Sequence, residues 1–524
     1  MLHSRRPSPA GRGESRQMRK HRRERKTPQP PSSRRRQVAD FAARAGLLCA
    51  MALVAHAAGP ATPGAAARLQ QIVELVDQGR FAEAERLIAV EDRTGAAFPG
   101  EIAFQRERMR RILLDFSLDE DGLRSAIRRQ VPDLGEDEFQ RWRRAGLFDA
   151  MEIDGQVRYF KRAAHNLFRL SEEARARRAE PGPFNDSPFE LAQHPHHAEV
   201  RAAALASGDT AAAPRRVRVT QSLTVKPEAV PAGETVRAWI PYPRAIPGQQ
   251  EDIRLLHGYP RLPRLAPEST LQRTAYLDQA ARAGEPTRFS VSYELTIFGQ
   301  HVAVDPERVV PAAMTPELAP YLSERFPHVV FTDAMRLFSA QVVGDETNPY
   351  RVARRLFDAV DRIPWAGARE YSTITNIGEH ALRAGRADCG QQTLLLITLL
   401  RLNGIPARWQ SGWIFSDGTY NNMHDWGWLY LAPYGWMPMD VTFGRLPGAD
   451  PALGHFYLGG MDAYRIAFND DYSRDFVPAK THFRSETVDL QRGEAEWDGG
   501  NLYFDQWDYD FEWELLPLPQ EQRN

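Results

Sequence analysis

The sequence predicts an α+β protein in which a helical region, a β-sandwich and a core of one buried helix plus an antiparallel sheet follow one another. Three observations indicate this fold class. Apolar residues recur at helical spacing over residues 58–180. Over residues 215–306 they alternate with polar residues, as in β-strands. Within residues 307–482, an almost wholly apolar helix precedes three strand-like runs. With 524 residues, of which 42% are hydrophobic, the chain can bury several cores.

Residues 1–57 are typical of a basic n-region and a secretory signal peptide. The first 36 residues hold 13 Lys and Arg against 2 Asp and Glu, and a short apolar run around Cys49 and the triplet Ala55-His56-Ala57 follow. The apolar run is short for a membrane span; an uncleaved anchor and a nucleic-acid-binding tail are the alternatives. We therefore predict cleavage near Ala57, export to the periplasm or the medium, and no stable membrane span afterwards.

The chain beyond this leader is acidic, because the whole sequence carries a net charge of −1 and the leader is strongly basic. An acidic balance argues against nucleic acid as a partner. The chain has 2 cysteines, Cys49 and Cys389, so removal of the leader leaves a single thiol. A single thiol cannot form an internal disulfide.

Residues 58–180 are predicted to form a helical N-terminal domain. A helical hairpin is indicated near its start, with Ile72 and Val76 on one apolar face and Gly79 at the turn. Further helices lead to a hairpin signal at Asp154-Gly155. This order is compatible with a winged helix, but in an acidic exported protein we expect a packing or substrate-flanking module.

Residues 181–214 are rich in Pro, Ala, Ser and Gly and are predicted to be a linker. Three histidines within it, His194, His196 and His197, could bind a transition metal. Pro195 interrupts them, and no acidic or cysteine ligand shares their spacing. We interpret this stretch as a solvated loop and expect neither a metal nor a cofactor.

Residues 215–306 are predicted to form a β-sandwich. The runs RRVRVTQSLTV and RFSVSYELTIF alternate apolar and polar residues, and VRAWIPYP adds a third strand. Residues 483–524 are predicted to form a C-terminal β extension. Its acidic residues, including Asp508, Asp510 and Glu512, could suggest calcium or sugar binding, but an exposed edge strand explains them more simply.

Cys389 stands at the start of the apolar helix in the core, residues 307–482. Asp388 is a suitable N-cap for this helix and Gly404 a suitable stop. Unpaired backbone N–H groups and the helix dipole favour a thiolate there and could stabilise an oxyanion. The alternative is a buried cysteine that behaves as a small hydrophobic residue.

Two further residues complete a candidate catalytic group. His424 opens the second strand-like run after the helix, and Asp440 lies near the end of the third. A helix followed by an antiparallel meander can bring both to Cys389, where the imidazole takes the thiol proton and the carboxylate orients the ring. Asp425 is a rival for the orienting acid, but alternation along a strand would direct it away from His424.

The stretches DCGQQTLLLITLLRLNGIPARWQSGW, MHDW and GWMPMDVTFG resemble the core of the transglutaminase-like superfamily of papain-type cysteine enzymes. The resemblance is specific over about residues 345–445 and looser in the sandwich, which is similar to a domain often found before this core in bacterial members. It implies a papain-like core with Cys389 as nucleophile, His424 as general base and acid, and Asp440 as orienting acid. Many members carry H-x-W-x-E, whereas Trp428 stands here in place of the glutamate.

We expect from this resemblance an exported cysteine hydrolase or peptidase that cleaves peptide or isopeptide bonds through a thioester. Its partner would be a protein or peptide, and this substrate could belong to the cell envelope. One alternative is protein-glutamine acyl transfer, or cross-linking, in which an amine meets the thioester. Another is a non-catalytic binding or assembly protein. Trp365 is the nearest candidate for the tryptophan that assists the oxyanion in eukaryotic transglutaminases.

Overall fold

The structure is a computed structural model that describes residues 63–518. The predicted leader, residues 1–57 with Cys49, lies outside the described residues. The described chain combines helices with antiparallel sheets, which confirms the predicted α+β class. Among residues 63–518, no helix combines the length and apolar character that crossing a membrane requires.

The helical region builds its own apolar core. Ile72 and Val76 are fully buried in the predicted hairpin, and Gly79 turns the chain at a φ of +75° where a Cβ would lie 2.0 Å from a backbone oxygen. Asp154 and Gly155 both have positive φ, as a tight hairpin turn requires. The elements are α1 (Pro63–Asp77), α2 (Phe81–Thr94), α3 (Pro99–Asp115), α4 (Glu120–Arg128), α5 (Glu136–Arg144), β1 (Ala150–Ile153), β2 (Gln156–Tyr159), α6 (Ala163–Leu170) and α7 (Glu172–Ala176).

Residues 181–214 are not the solvated linker that the sequence predicts. They contain α8 (Pro188–Leu191) and α9 (Pro195–Ser207), and α9 packs against the sandwich. His194 caps α9 by accepting from the N–H of His196, with proline at the first helical position. His196 and His197 are buried; the first accepts from the Ala463 N–H at 3.0 Å, and the second lies 2.9 Å from the Tyr457 hydroxyl. The three histidines therefore cap α9 and hold it against its neighbours.

The sandwich consists of two five-stranded sheets whose inner faces meet in the main apolar core. One has the order β12-β8-β3-β16, with β5 also paired to β8, and the other has the order β15-β14-β4-β7-β6. The strands that precede the catalytic core are β3 (Ala211–Val225), β4 (Thr235–Pro241), β5 (Gln250–Tyr259), β6 (Arg264–Leu265), β7 (Thr274–Ala280) and β8 (Thr287–His301).

The strands near the C-terminus complete this sandwich. They are β12 (Gly460–Met461), β14 (Glu494–Trp497), β15 (Gly500–Leu502) and β16 (Trp507–Leu516). β14 pairs with β4 and β16 pairs with β3, so the segment predicted as a C-terminal β extension returns to both sheets. β16 is an edge strand with Asp508, Asp510 and Glu512 exposed, as the sequence predicts.

The core predicted over residues 307–482 packs helices on one side of a four-stranded antiparallel sheet. Helix α13 (Cys389–Leu402) is buried along nearly its whole length, as its apolar sequence predicts. The sheet has the order β11-β10-β9-β13. The other elements of the core are α10 (Asp333–Val343), α11 (Pro349–Asp361), α12 (Ile377–Ala384), β9 (Ala407–Phe415), β10 (Asn421–Leu431), β11 (Gly435–Met439) and β13 (Arg465–Asn469).

Candidate active site

Cys389 is the first residue of α13, and the local sequence fixes its position. The Asp388 side chain accepts from the Gln391 N–H at 3.1 Å, and the Gln391 side chain accepts from the Asp388 N–H at 3.2 Å, which completes a capping box. Gly390 lets this end of the helix approach Tyr371, because a Cβ there would lie 2.1 Å from the tyrosine hydroxyl. Cys389 as a whole residue is half-buried.

His424 and Asp440 form a buried pair. His424 Nε2 lies 2.7 Å from Asp440 Oδ2, and the two residues are 4% and 0% exposed. The other carboxylate oxygen of Asp440 accepts the N–H groups of Thr442 and Phe443, each at 3.1 Å. The carboxylate is therefore held on both sides, and the imidazole leaves Nδ1 available for another partner.

A buried arginine supports this pair. Arg465 donates to Asp440 at 2.9 Å and to Asp462 at 2.5 Å. Burial opposes the charged form of Asp440, but His424 and Arg465 together lower its pKa below the usual value. Asp440 is therefore an anion that can stabilise a protonated imidazole. Nothing in the local sequence around Arg465 indicates this role, since it reaches the site from β13, beyond the matched motif.

Asp425 lies on the side of the sheet that faces α13. Its backbone carbonyl accepts from the Thr393 hydroxyl, and its Oδ2 accepts from Cys389 Sγ at 3.1 Å. Neighbouring residues of a strand point to opposite faces, so His424, which bonds to Asp440, points away from the face that holds Asp425 and Cys389. Within residues 63–518, no hydrogen bond joins Cys389 to His424. The closing contact of the Cys389–His424–Asp440 triad therefore stays a prediction.

The expectation that Cys389 is poised as a thiolate is wrong for this arrangement. Burial raises the pKa of its thiol well above the ordinary value, and the carboxyls of Asp425 and Asp388 raise it further. Burial also raises the pKa of Asp388 to about 6. The helix N-terminus favours the thiolate, but burial, together with these acidic groups, outweighs it.

A cavity of about 270 Å³ opens at Cys389 and is built from distant parts of the chain. The helical region contributes Arg162, and the segment before α12 contributes Trp365, so the predicted candidate tryptophan does reach the site. Glu370 and Arg492 form a two-bonded ion pair in its wall, at 2.6 and 3.2 Å. The C-terminal part of the chain contributes Glu486, Asp489, Gln491, Arg492, Phe504 and Tyr509.

The helical region touches the catalytic core beside this cavity. The Asn166 side chain donates to the Gly367 carbonyl at 2.9 Å and accepts from its N–H at 3.0 Å. Asp115 accepts from the N–H of Glu370 at 2.9 Å. These buried contacts fix the loop that carries Trp365 and Tyr371, so the helical region supports one wall of the site.

Residues 336–441 match the family model of the transglutaminase-like superfamily. This range contains Cys389, His424 and Asp440. The chain thus carries a transglutaminase-like domain over these residues, and the predicted resemblance is confirmed. None of the curated proteins compared by sequence matches the chain.

Three solved structures are similar over part of the chain. One is described as a "putative cysteine protease" from Cytophaga hutchinsonii, with 15% identity, a TM-score of 0.39, and coverage of 59% of this chain and 93% of that one. The periplasmic domain of TgpA from Pseudomonas aeruginosa, in a form bound to ethylmercury, matches with 14% identity and a TM-score of 0.23. This match covers 44% of this chain and 90% of that one. A second structure of that domain matches with 14% identity and a TM-score of 0.24, and the match covers 48% of this chain and 92% of that one. The family assignment rests on residues 336–441 alone.

Proposed function

We propose that the chain is an exported transglutaminase-like cysteine enzyme that cleaves peptide or isopeptide bonds through a thioester. The observation that carries this proposal is the buried His424–Asp440 pair, 2.7 Å apart at the two predicted positions and preceded by Cys389 at a helix start. The export part of the proposal rests on the sequence of residues 1–57.

The reaction begins when substrate enters the cavity beside Cys389. The thiol gives its proton to Nδ1 of His424, and Sγ bonds to the scissile carbonyl carbon. His424 then returns the proton to the leaving nitrogen as the C–N bond breaks, which releases the amine and leaves a thioester. Water adds to the thioester carbonyl with His424 as base, and the C–S bond breaks with reprotonation of sulfur.

Two features of the site serve these steps. Asp440 holds the Nε2–H tautomer, so Nδ1 is the nitrogen that faces the incoming proton. The first N–H groups of α13 lack intrahelical acceptors and can donate to the oxyanion at the carbonyl. Catalytic hydrogen bonds are often long in a free enzyme and tighten when substrate binds. His424 and Asp440 are not among the residues that line the cavity at Cys389, so the proposed step requires the imidazole to turn toward the thiol when substrate binds.

The helical region has a proposed role as a substrate-flanking module. Arg162 places an exposed guanidinium at the cavity wall, directly over Gly367, whose added Cβ would meet the guanidinium carbon at 3.0 Å. Acidic residues, including Asp388, Glu486 and Asp489, also line the cavity. A polar protein or peptide segment would fit such a site better than an apolar ligand.

The test uses a peptide library with the wild-type chain and Cys389→Ala, read by mass spectrometry with and without a primary amine. Cleavage by the wild type alone, with a free acid product, is the expected result. Amine incorporation would instead show acyl transfer. Absence of both reactions would favour a binding or assembly role for the same core.

A further inference from the structure

The carboxyl groups beside Cys389 form a unit that the catalytic triad does not use. Asp425 is 3% exposed and Asp489 is 2% exposed, and their side chains hydrogen-bond to each other. Two carboxyls can make this bond only if at least one proton lies between them, since a carboxylate has no donor. Asp425 and Asp489 are called the carboxyl pair below.

Other side chains hold the carboxyl pair in place. Gln491 Nε2 donates to Asp425 Oδ1 at 3.0 Å, and the Ser411 hydroxyl donates to Asp489 Oδ2 at 2.9 Å. The Tyr371 hydroxyl donates to Asp388 Oδ1 at 2.8 Å and lies 3.4 Å from Asp425 Oδ2. Oδ2 of Asp425 also lies 3.1 Å from Cys389 Sγ, which donates to it.

We propose that the carboxyl pair holds Cys389 as a neutral thiol and delays its conversion to thiolate to alkaline conditions. When the pair holds one proton, Asp425 accepts the thiol hydrogen, and a thiolate would place a second negative charge beside the first. This inference rests on the proposed function only for its relevance to turnover, since the thiol can be measured directly.

The surrounding charges do not cancel this effect. Burial raises the pKa of Asp425 well above its usual value, with Asp489 and Asp388 adding to it. Burial likewise raises the pKa of Asp489, although Arg484 and Arg492 oppose the rise. The groups that face the unit from the packed elements are Tyr371, Asp388, Arg484, Glu486 and Arg492. Glu486 is itself uncharged over part of the neutral range, because burial and Asp489 raise its pKa to about 8.

The experiment measures the alkylation rate of Cys389 by iodoacetamide between pH 4 and pH 10 in the full chain. Asp425→Asn replaces the carboxyl by a permanently neutral isostere, so the thiol pKa should fall. Alkylation near pH 7 should become about 3-fold to 50-fold faster, after allowing for the weaker nucleophilicity of a more acidic thiol.

Asp489→Asn supplies the discriminating comparison. It removes the shared proton and leaves Asp425 as a full carboxylate that still accepts from the thiol, so alkylation should be no faster than in the wild type. Asp417→Asn makes the same charge change at an exposed position before β10 and should leave the pH profile unchanged. If the two carboxyls had only a structural role, both buried variants would change the alkylation rate of Cys389 in the same direction.

The inference is overturned if Asp425→Asn leaves the thiol pKa unchanged or raises it, or if Asp489→Asn accelerates alkylation equally. Thermal unfolding of each variant establishes that the compared proteins are folded; should Asp425→Asn fail to fold, Asp425→Ser provides the neutral comparison. A chain that cleaves no amide would refute the proposed function, while the alkylation profiles would still decide the role of the carboxyl pair.

Discussion

Replacing Asp440 by Asn separates its chemical role from its structural role. The asparagine retains an oxygen for the N–H groups of Thr442 and Phe443. Its amide nitrogen, however, faces His424 and Arg465, both of which need an acceptor. The imidazole then loses its orienting anion, and a protonated ring is no longer stabilised.

The structure sets the size of both effects. Arg465 still has Asp462 as a partner, but the contacts of Asp440 with both His424 and Arg465 are lost, so the stability cost is that of two hydrogen bonds to a charged group, about 3–6 kcal/mol. The rate should fall much further, by roughly 10³- to 10⁴-fold, following the behaviour of the buried aspartate in serine proteases. The assays are urea unfolding for stability and labelling of Cys389 by a peptide-based electrophile for reactivity.

Asp462→Asn is the matched control for this change. It removes the other carboxylate of Arg465 and leaves the 2.7 Å contact between His424 and Asp440 in place. It should lower the free energy of unfolding by a comparable amount and leave the labelling rate of Cys389 nearly unchanged. Equal labelling rates for the two variants would refute the reasoning and assign Asp440 a structural role.

Four further outcomes are expected. Arg162→Ala should raise KM for cleaved peptides with kcat little changed, whereas Arg162→Lys should retain part of the binding; equal kcat/KM in all three chains would exclude a substrate contact. Gly390→Ala should lower the unfolding free energy by about 1–3 kcal/mol in urea titrations, since its Cβ would meet the Tyr371 hydroxyl at 2.1 Å. Burial lowers the pKa of His197 to about 4, so the unfolded chain binds more protons than the folded chain between about pH 6.5 and 4. The free energy of unfolding should therefore decrease as the pH falls through that range. If His197→Gln showed the same dependence of this free energy on pH as the wild type, the interpretation would be contradicted. Mass spectrometry of the exported protein should find an N-terminus just after Ala57, and an intact leader in a cytosolic fraction would contradict export.

Local patterns predicted the parts of the fold that depend on local physics. The helical hairpin followed from apolar spacing and Gly79, and the buried helix α13 from its continuous apolar run and its Asp388 cap. The His424–Asp440 pair followed from a motif in which strand order alone places two side chains together. These inferences needed no knowledge of distant chain segments.

The errors arose where distant segments meet. The pairing of β16 with β3 joins residues nearly 300 positions apart, and no local signal specifies it. The raised pKa of Cys389 comes from burial and from the carboxyls of Asp425 and Asp388, and the helix start alone does not show that Asp425, from β10, lies against the thiol. The histidines before α9 did carry a readable signal, because His194-Pro195 is a cap followed by proline at the first helical position.

The central claim is that Cys389 is a nucleophile activated by His424. A peptide-based electrophile, followed by peptide mapping, tests it most directly in the wild type, Cys389→Ala and His424→Ala. The account predicts a single adduct at Cys389 in the wild type, none in Cys389→Ala, and labelling at least about 100-fold slower in His424→Ala under conditions in which circular dichroism shows that variant to be folded. Labelling of Cys389 at the wild-type rate in folded His424→Ala would contradict the claim.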